Sequence, residues 1–322
     1  MKTKQTALSD TTITCTVCGE TSAIPWRVGV DHLLGGTHRY RAVKCLRCAT
    51  RRLDPRPDAE TMAQYYQPET YARAEEEGSE VGKRLDAYAA RLAEVSSSSA
   101  PVGKVRSALD IGCGDGRFMA ALQKRGWQVT GTETDPAAAK LARRRTDATV
   151  FESAMPPTRS EAKAYDLVSL LHVLEHVSDP RETLRDVRER LLPGGELLLV
   201  LPNADSIEAG LFGTSWYHLD LPRHLWSFTP ASLVRLVETT GFEVTVVRYT
   251  PFLFAPQSLL RVFGKANGAI PGRHVQGIGR SQSGGAWQTR VFNALLRTSN
   301  RLGRNIPGEI IELTARVSEG KA

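Results

Sequence analysis

The stretch Ala108-Leu109-Asp110-Ile111-Gly112-Cys113-Gly114-Asp115-Gly116 decides the fold. Its apolar half reads as the end of a buried strand, and a helical pattern resumes immediately after Gly116. Three glycines at alternate positions let the backbone turn sharply and approach a ligand at a helix N-terminus, where free N–H groups and the helix dipole favour a carboxylate or phosphate. A dinucleotide loop would read GxGxxG, and here its third glycine falls on Arg117. Glu133, closing the next expected strand, puts a carboxylate where it can accept both hydroxyls of a ribose.

Outward from that turn, apolar strands alternate with amphipathic helices. Strands are expected near 105–111, 127–133, 148–152, 165–171 and 196–201, and helices near 116–126, 136–145 and 180–192. After an irregular stretch come a helix at 229–240 and strands at 242–247 and 309–317. The alternation predicts an α/β fold, a parallel sheet with helices on both faces. Upstream, residues 58–95 read as helical and Ser96-Ser97-Ser98-Ser99-Ala100-Pro101 as a flexible linker.

Nearer the N-terminus, Cys15 and Cys18 form one Cys-x2-Cys pair and Cys45 and Cys48 a second. Each pair folds a tight knuckle presenting two thiolates, and two knuckles complete a tetrahedral zinc site of the ribbon type. His32 and His38, between the pairs, read as surface residues because four thiolates already satisfy zinc. The expected organisation is a zinc ribbon at 1–56, a helical cap and linker at 57–101, and a main domain at 102–322 with an insertion at 251–307.

Composition bounds the rest. A chain of 322 residues that is 41% hydrophobic and 24% charged is too apolar for wholesale disorder, and five cysteines are too few for a disulfide scaffold. No stretch approaches ~18 consecutive apolar residues, and the start lacks an apolar export core, so residence in the cytoplasm is the expectation. Residues 251–308 hold eight basic residues and no acidic one, against 34 basic and 35 acidic elsewhere, so the net charge of +7 belongs to that segment. There Arg290, Arg297, Arg301 and Arg304 share one side of a helical wheel and Val291, Phe292, Leu295, Leu296 and Leu302 the other. A surface helix packed on the domain, a cover for an anionic small-molecule acceptor and a peripheral contact of 290–304 with anionic membrane are open readings; nucleic acid ranks lower without an aromatic-rich motif.

The acidic residue followed by GxGxG resembles the first motif of class I S-adenosylmethionine-dependent methyltransferases. The resemblance continues through Tyr165-Asp166-Leu167-Val168, His172-Val173-Leu174-Glu175-His176-Val177, Leu192-Pro193-Gly194-Gly195, Pro202-Asn203 and Leu219-Asp220-Leu221-Pro222-Arg223-His224-Leu225. The ordered set is similar to the branch that includes ubiquinone-biosynthesis O-methyltransferases and methyltransferases of polysaccharide and secondary-metabolite clusters. It implies a seven-stranded sheet and S-adenosylmethionine as cofactor. By that resemblance Asp110, Gly112, Cys113, Gly114 and Gly116 hold the methionine portion, with Cys113 itself a packing residue, and Glu133 takes the ribose. Thr134, Ser153 and Ala154 flank the adenine, the serine departing from the family's acidic residue, and Leu171 lines the floor below the sulfonium.

Methyl transfer is an in-line displacement that chiefly needs alignment and exclusion of water, with a base only where the acceptor must lose a proton. Histidine titrates near neutrality, so His172 and His176, then His218 and His224, are the catalytic candidates. Residues 172–176 also match HxxEH, an inverted zinc-protease motif that requires a helix; a divalent ion at the acceptor is another reading. Arg223 stands ready to pair with Asp220 or with an anionic substrate. The expected activity is methyl transfer to a small polar acceptor such as a sugar or lipid-linked intermediate, with an RNA- or protein-binding module as the alternative.

Overall fold

The computed structural model describes residues 14–35, 37–66, 80–97, 105–156, 164–250, 258, 261 and 308–318. In chain order the strands are β1 (Ala23–Val30), β2 (Arg39–Cys45), β3 (Arg51–Leu53), β4 (Ser107–Ile111), β5 (Gln128–Thr132), β6 (Thr149–Phe151), β7 (Tyr165–Leu171), β8 (Leu191–Pro202), β9 (Trp226–Ser227), β10 (Phe242–Thr250) and β11 (Ile310–Val317). The helices are α1 (Ala59–Ala63), α2 (Glu80–Ser97), α3 (Arg117–Gln123), α4 (Pro136–Thr146), α5 (Pro180–Arg190), α6 (Ile207–Phe212) and α7 (Pro230–Glu238). No helix among the described residues is long and apolar enough to cross a membrane.

Two compact units share the chain. One comprises Tyr66–Leu201, Val234–Arg248 and Ile311–Ala322, the other Met1–Tyr65, Pro202–Leu233 and Tyr249–Ile310. The first is built on a seven-stranded sheet in the order β10-β11-β8-β7-β4-β5-β6. β4 pairs in parallel with β5 and β7, β5 with β6, and β7 with β8. Val168, Leu170, Leu197, Leu199 and Val200 are fully buried, as expected of parallel strands covered on both faces.

One strand departs from the parallel arrangement of the others. Asn203 meets Glu309 while Glu196 meets Arg316, so residue numbers rise along β11 as they fall along β8. Likewise Gly241 meets Ser318 and Thr245 meets Thr314. β11 is therefore antiparallel to both neighbours and β10 runs with the rest. No crossover helix is needed on either side of β11, which removes the periodic signal that marks the parallel units.

Local chemistry sets the helix starts. Asp135 and Asp179 each cap a helix whose first residue is proline, accepting from Ala137 at 2.7 Å and from Arg181 at 2.8 Å. Thr229 and Ser232 bond reciprocally at the start of α7. The helix expected over 58–95 is two helices, α1 and α2, with 67–79 outside the described residues. Ser96 and Ser97 belong to α2 and not to a linker: Ser96 Oγ donates to the Leu92 carbonyl at 3.0 Å and is buried, so a serine run reads polar while its first member back-bonds to the helix. β8 begins at Leu191, before the expected 196, because Gly194 at φ 73° carries the chain through Pro193-Gly194-Gly195 while Leu191 still pairs with Tyr165.

The second unit carries an antiparallel sheet in the order β1-β2-β3-β9. The last of these comes from the stretch read as irregular, where Leu53 N–H donates to the Leu225 carbonyl and Arg52 faces Trp226. Trp216, Trp226 and Phe228 are fully buried in this unit, a core the cysteine region alone lacks. Of the insertion only Ser258 and Arg261 are described, and the arginine helix at 290–304 lies outside the described residues.

Candidate cofactor-binding edge and cysteine site

β7, β4, β5 and β6 are adjacent and parallel, so their C-terminal ends lie along one edge of the sheet. Asp110, Glu133, Ser153 and Leu171 stand at or just beyond these ends, where open α/β sheets bind ligands. Short bonds tie the ends together. Cys113 N–H donates to the Thr132 carbonyl at 2.9 Å, Glu133 N–H to the Phe151 carbonyl at 2.9 Å, and Thr132 Oγ1 to the Ala154 carbonyl at 3.4 Å.

The three loop glycines have φ of 66°, 55° and 81°, which side-chain-bearing residues rarely adopt. Two also have packing reasons. A Cβ on Gly112 would stand 2.5 Å from Val173 Cγ2, and one on Gly116 2.8 Å from Ala142 Cα. Gly114 meets nothing within 4 Å, so its smallness keeps a space clear. Gly116 caps α3 without a side chain, in contrast to Asp135 and Asp179. Arg117, where a dinucleotide loop needs glycine, instead bonds Asp115 at 2.9 Å and Asp86 of α2 at 2.6 Å.

Two carboxylates face this loop. Glu133 accepts from Gly114 N–H through Oε2 at 2.9 Å, and through Oε1 from Asp135 N–H at 2.9 Å and the Thr134 hydroxyl at 3.5 Å, leaving a lone pair on Oε2. Asp110 is fully buried and accepts from Ser169 Oγ at 2.7 Å through Oδ1, while Oδ2 has no partner among the described residues. Burial pushes its carboxyl up to about 7, against the Ser169 bond, with the Glu133 charge adding to the rise. Cys113 packs with Met119, Ala139, Ala142 and Val150, and burial raises its thiol well above the ordinary range, so it is a packing residue and no nucleophile. Ser153 Oγ is turned to the Met155 carbonyl at 2.6 Å, and Thr134 is exposed beside Glu133.

His172 follows β7 at φ 58°, its Nδ1 3.4 Å from Glu175 Oε1. His176 Nδ1 lies 3.0 Å from the Tyr66 hydroxyl. Residues 174–176 form a turn, not the helix that the protease motif requires, so HxxEH carries no protease geometry. The other two histidines belong to the second unit and are buried there. His224 Nδ1 bonds the His218 carbonyl at 2.8 Å, and His218 Nε2 is 3.7 Å from Glu309. Arg223 is fully buried between Asp220 and Asp31, at 2.6 Å and 2.8 Å, which leaves it no role toward an anionic substrate. Burial opposes ionisation of Asp220, yet the Arg223 guanidinium holds that carboxyl far below its ordinary range. Ser169 and Asp31 were not among the expected site residues; no local pattern marks them, because each is recruited by a partner at least 59 residues away.

The four ribbon cysteines converge. Their Sγ atoms all lie within 4.8 Å of one another, with Cys15–Cys48 at 3.6 Å and Cys18–Cys45 at 3.5 Å. A tetrahedral zinc with ~2.3 Å bonds needs edges of ~3.8 Å, so the donor set fits. Each knuckle closes through a left-handed residue, Gly19 at φ 76° and Ala49 at φ 59°, whose N–H returns to the first cysteine carbonyl. The bond from Cys15 lowers the Cys48 thiol to about 4, and the same bond with burial pushes Cys15 far up. His32 bonds the Thr214 carbonyl at 3.1 Å and the His38 ring lies tilted at 58° against Tyr40, so neither stands among the sulfurs.

The strand order, the antiparallel β11 between β8 and β10, and the glycine turn facing an acidic residue one strand over define a Rossmann-like, seven-stranded methyltransferase fold. The chain belongs to the family described as methyltransferase domain, whose model matches residues 54–247. It is 31% identical over 146 residues to a ubiquinone biosynthesis O-methyltransferase of Cereibacter sphaeroides, covering 42% of this chain and 59% of that one. A protein of the same name from Ruegeria pomeroyi is 32% identical over 161 residues, covering 47% and 64%. The chain thus spans about three fifths of the length of the curated relatives it matches. Among solved structures, a SAM-dependent methyltransferase from Thermotoga maritima aligns with TM-score 0.46 at 15% identity, over 74% of this chain and 91% of that one.

Proposed function

We propose that the protein transfers a methyl group from S-adenosylmethionine to a small polar acceptor. The observation that supports this best is the meeting of Asp110, the open Gly114 turn and Glu133 at one sheet edge. Glu133 accepts the ribose through the free lone pair on Oε2 and by exchange of the long Thr134 bond on Oε1, and the Asp110 oxygen without a partner among the described residues receives a donor from the methionine end. Bound S-adenosylmethionine supplies a methyl group already activated on sulfur. Leu171 and His172 stand at the end of β7 to line the reacting centre, and His172 or His176 takes the acceptor proton where one must leave. His218 and His224 are secondary candidates.

The relatives' name supports a hydroxyl as the methylated group, and nucleotide-linked sugars and lipid-linked intermediates are the first acceptors to assay. The donor set supports one zinc per chain on Cys15, Cys18, Cys45 and Cys48, closing the two knuckles. Isothermal titration of the zinc-loaded protein with S-adenosylmethionine and S-adenosylhomocysteine tests the cofactor, and Glu133→Ala is expected to weaken both by tenfold or more. A folded protein that binds neither overturns the reading. Labelled methyl donor with fractionated extract, followed by mass identification of the product, then names the acceptor.

A further inference from the structure

The second unit holds two arginines with buried donors left over. Arg27 on β1 lies opposite Ala42 and Arg51 on β3 opposite Lys44, so by strand alternation both stand on one face of the sheet. The register slips between Pro25 and Arg27, and this bulge turns Trp26 to the same side. The Arg27 guanidinium carbon lies 4.3 Å and that of Arg51 5.2 Å from the Trp26 ring centroid. Both chains also reach one short segment: Arg51 pairs with Asp205 at 2.5 Å, and Arg27 donates to the Ala209 carbonyl.

These contacts do not satisfy the cluster. Arg51 is 6% exposed, yet its Nε and Nη1, together with Arg27 Nη1, are buried without a hydrogen-bond partner among the described residues. Among the described residues the carboxylate paired with them is Asp205, whose side chain is half in solvent. Burial and the neighbouring Arg51 charge lower Arg27 to about 10, the signature of a cation short of counter-charge. Leaving charged donors unmet is costly, and such groups call for a ligand or a function. A planar carboxylate is satisfied by a single guanidinium fork, whereas donors from two guanidiniums on separate strands suit a tetrahedral dianion.

We propose that Arg27 and Arg51, beside Trp26, form a binding site for the phosphate group of a small molecule. The site lies wholly in the unit carrying the cysteines, and its test uses no methyl donor, so it stands or falls apart from the methyltransferase reading. The full-length zinc-loaded protein is titrated with inorganic phosphate and with acetate at matched ionic strength, following binding by calorimetry and the arginine Nε–H resonances by NMR. Saturable phosphate binding that shifts the Arg27 and Arg51 resonances is expected, weakened about tenfold or more in Arg27→Gln and in Arg51→Gln. Should Arg51→Gln fail to fold, the less buried Arg27→Gln decides. No saturable binding, equal affinity in wild type and Arg27→Gln, or acetate bound as tightly as phosphate would each overturn the proposal.

Discussion

A glycine at position 112 is held by two constraints that mutagenesis can separate. Alanine there would adopt a left-handed conformation costing about 1–2 kcal/mol, and its Cβ would press on Val173. Gly112→Ala is expected to lose about 2–4 kcal/mol by urea denaturation, and adding Val173→Ala should recover the steric part while the backbone part stays. A double variant no more stable than the single would refute the clash. Ala49 presents the opposite case, a side-chain-bearing residue already at φ 59°, so Ala49→Gly is expected to raise stability by about 1 kcal/mol at unchanged zinc content. Asp110 predicts a pH dependence. Its folded carboxyl titrates at about 7 against 3.8 ordinarily, so the native state holds the proton more tightly. Stability from this group is complete below pH ~4, falls as pH rises, and is lost above ~7. Asp110→Asn removes the titration, so its stability relative to wild type should climb by about 2–4 kcal/mol between pH 4 and pH 8; a flat difference would show that the carboxylate is not desolvated.

Elements whose signals are local are legible in the sequence. The Asp-Pro starts of α4 and α5, the buried runs of β4, β7 and β8, and the glycine turn all follow from a few consecutive residues. The antiparallel β11 and the two-residue β9 are not, because strand direction and edge pairing depend on partners far along the chain. For the same reason the placement of Asp110 and Glu133 at strand ends is readable from the sequence, while Ser169 behind Asp110 is not. The cap energetics can be checked directly. Asp179 accepts from two amides at the start of α5, and Asp179→Ala should cost about 1 kcal/mol in chemical denaturation while leaving S-adenosylmethionine affinity within twofold of wild type. A change in affinity beyond that would mean α5 communicates with the glycine turn.

At the scale of the molecule, the cysteine region is no detachable bead. Its three strands gain a fourth from residues 226–227, and the unit that contains it draws on Pro202–Leu233, far beyond the two knuckles. Four sulfurs this close repel one another once ionised, so a cation on the proposed site would hold the two knuckles together. Because β9 pairs with β3, loosening the knuckles should propagate along the sheet to Trp226 and the buried residues beside it. Chelation of the metal is therefore expected to release one zinc per chain and to speed amide exchange across residues 23–53 and 226–228 together. Exchange in β4, β7 and β8 should stay slow, since those strands bury their own apolar core within the other unit. Exchange that quickened only at Cys15–Gly19 and Cys45–Ala49 would mean the four-stranded sheet stands without its metal, and the zinc would then be local to the knuckles.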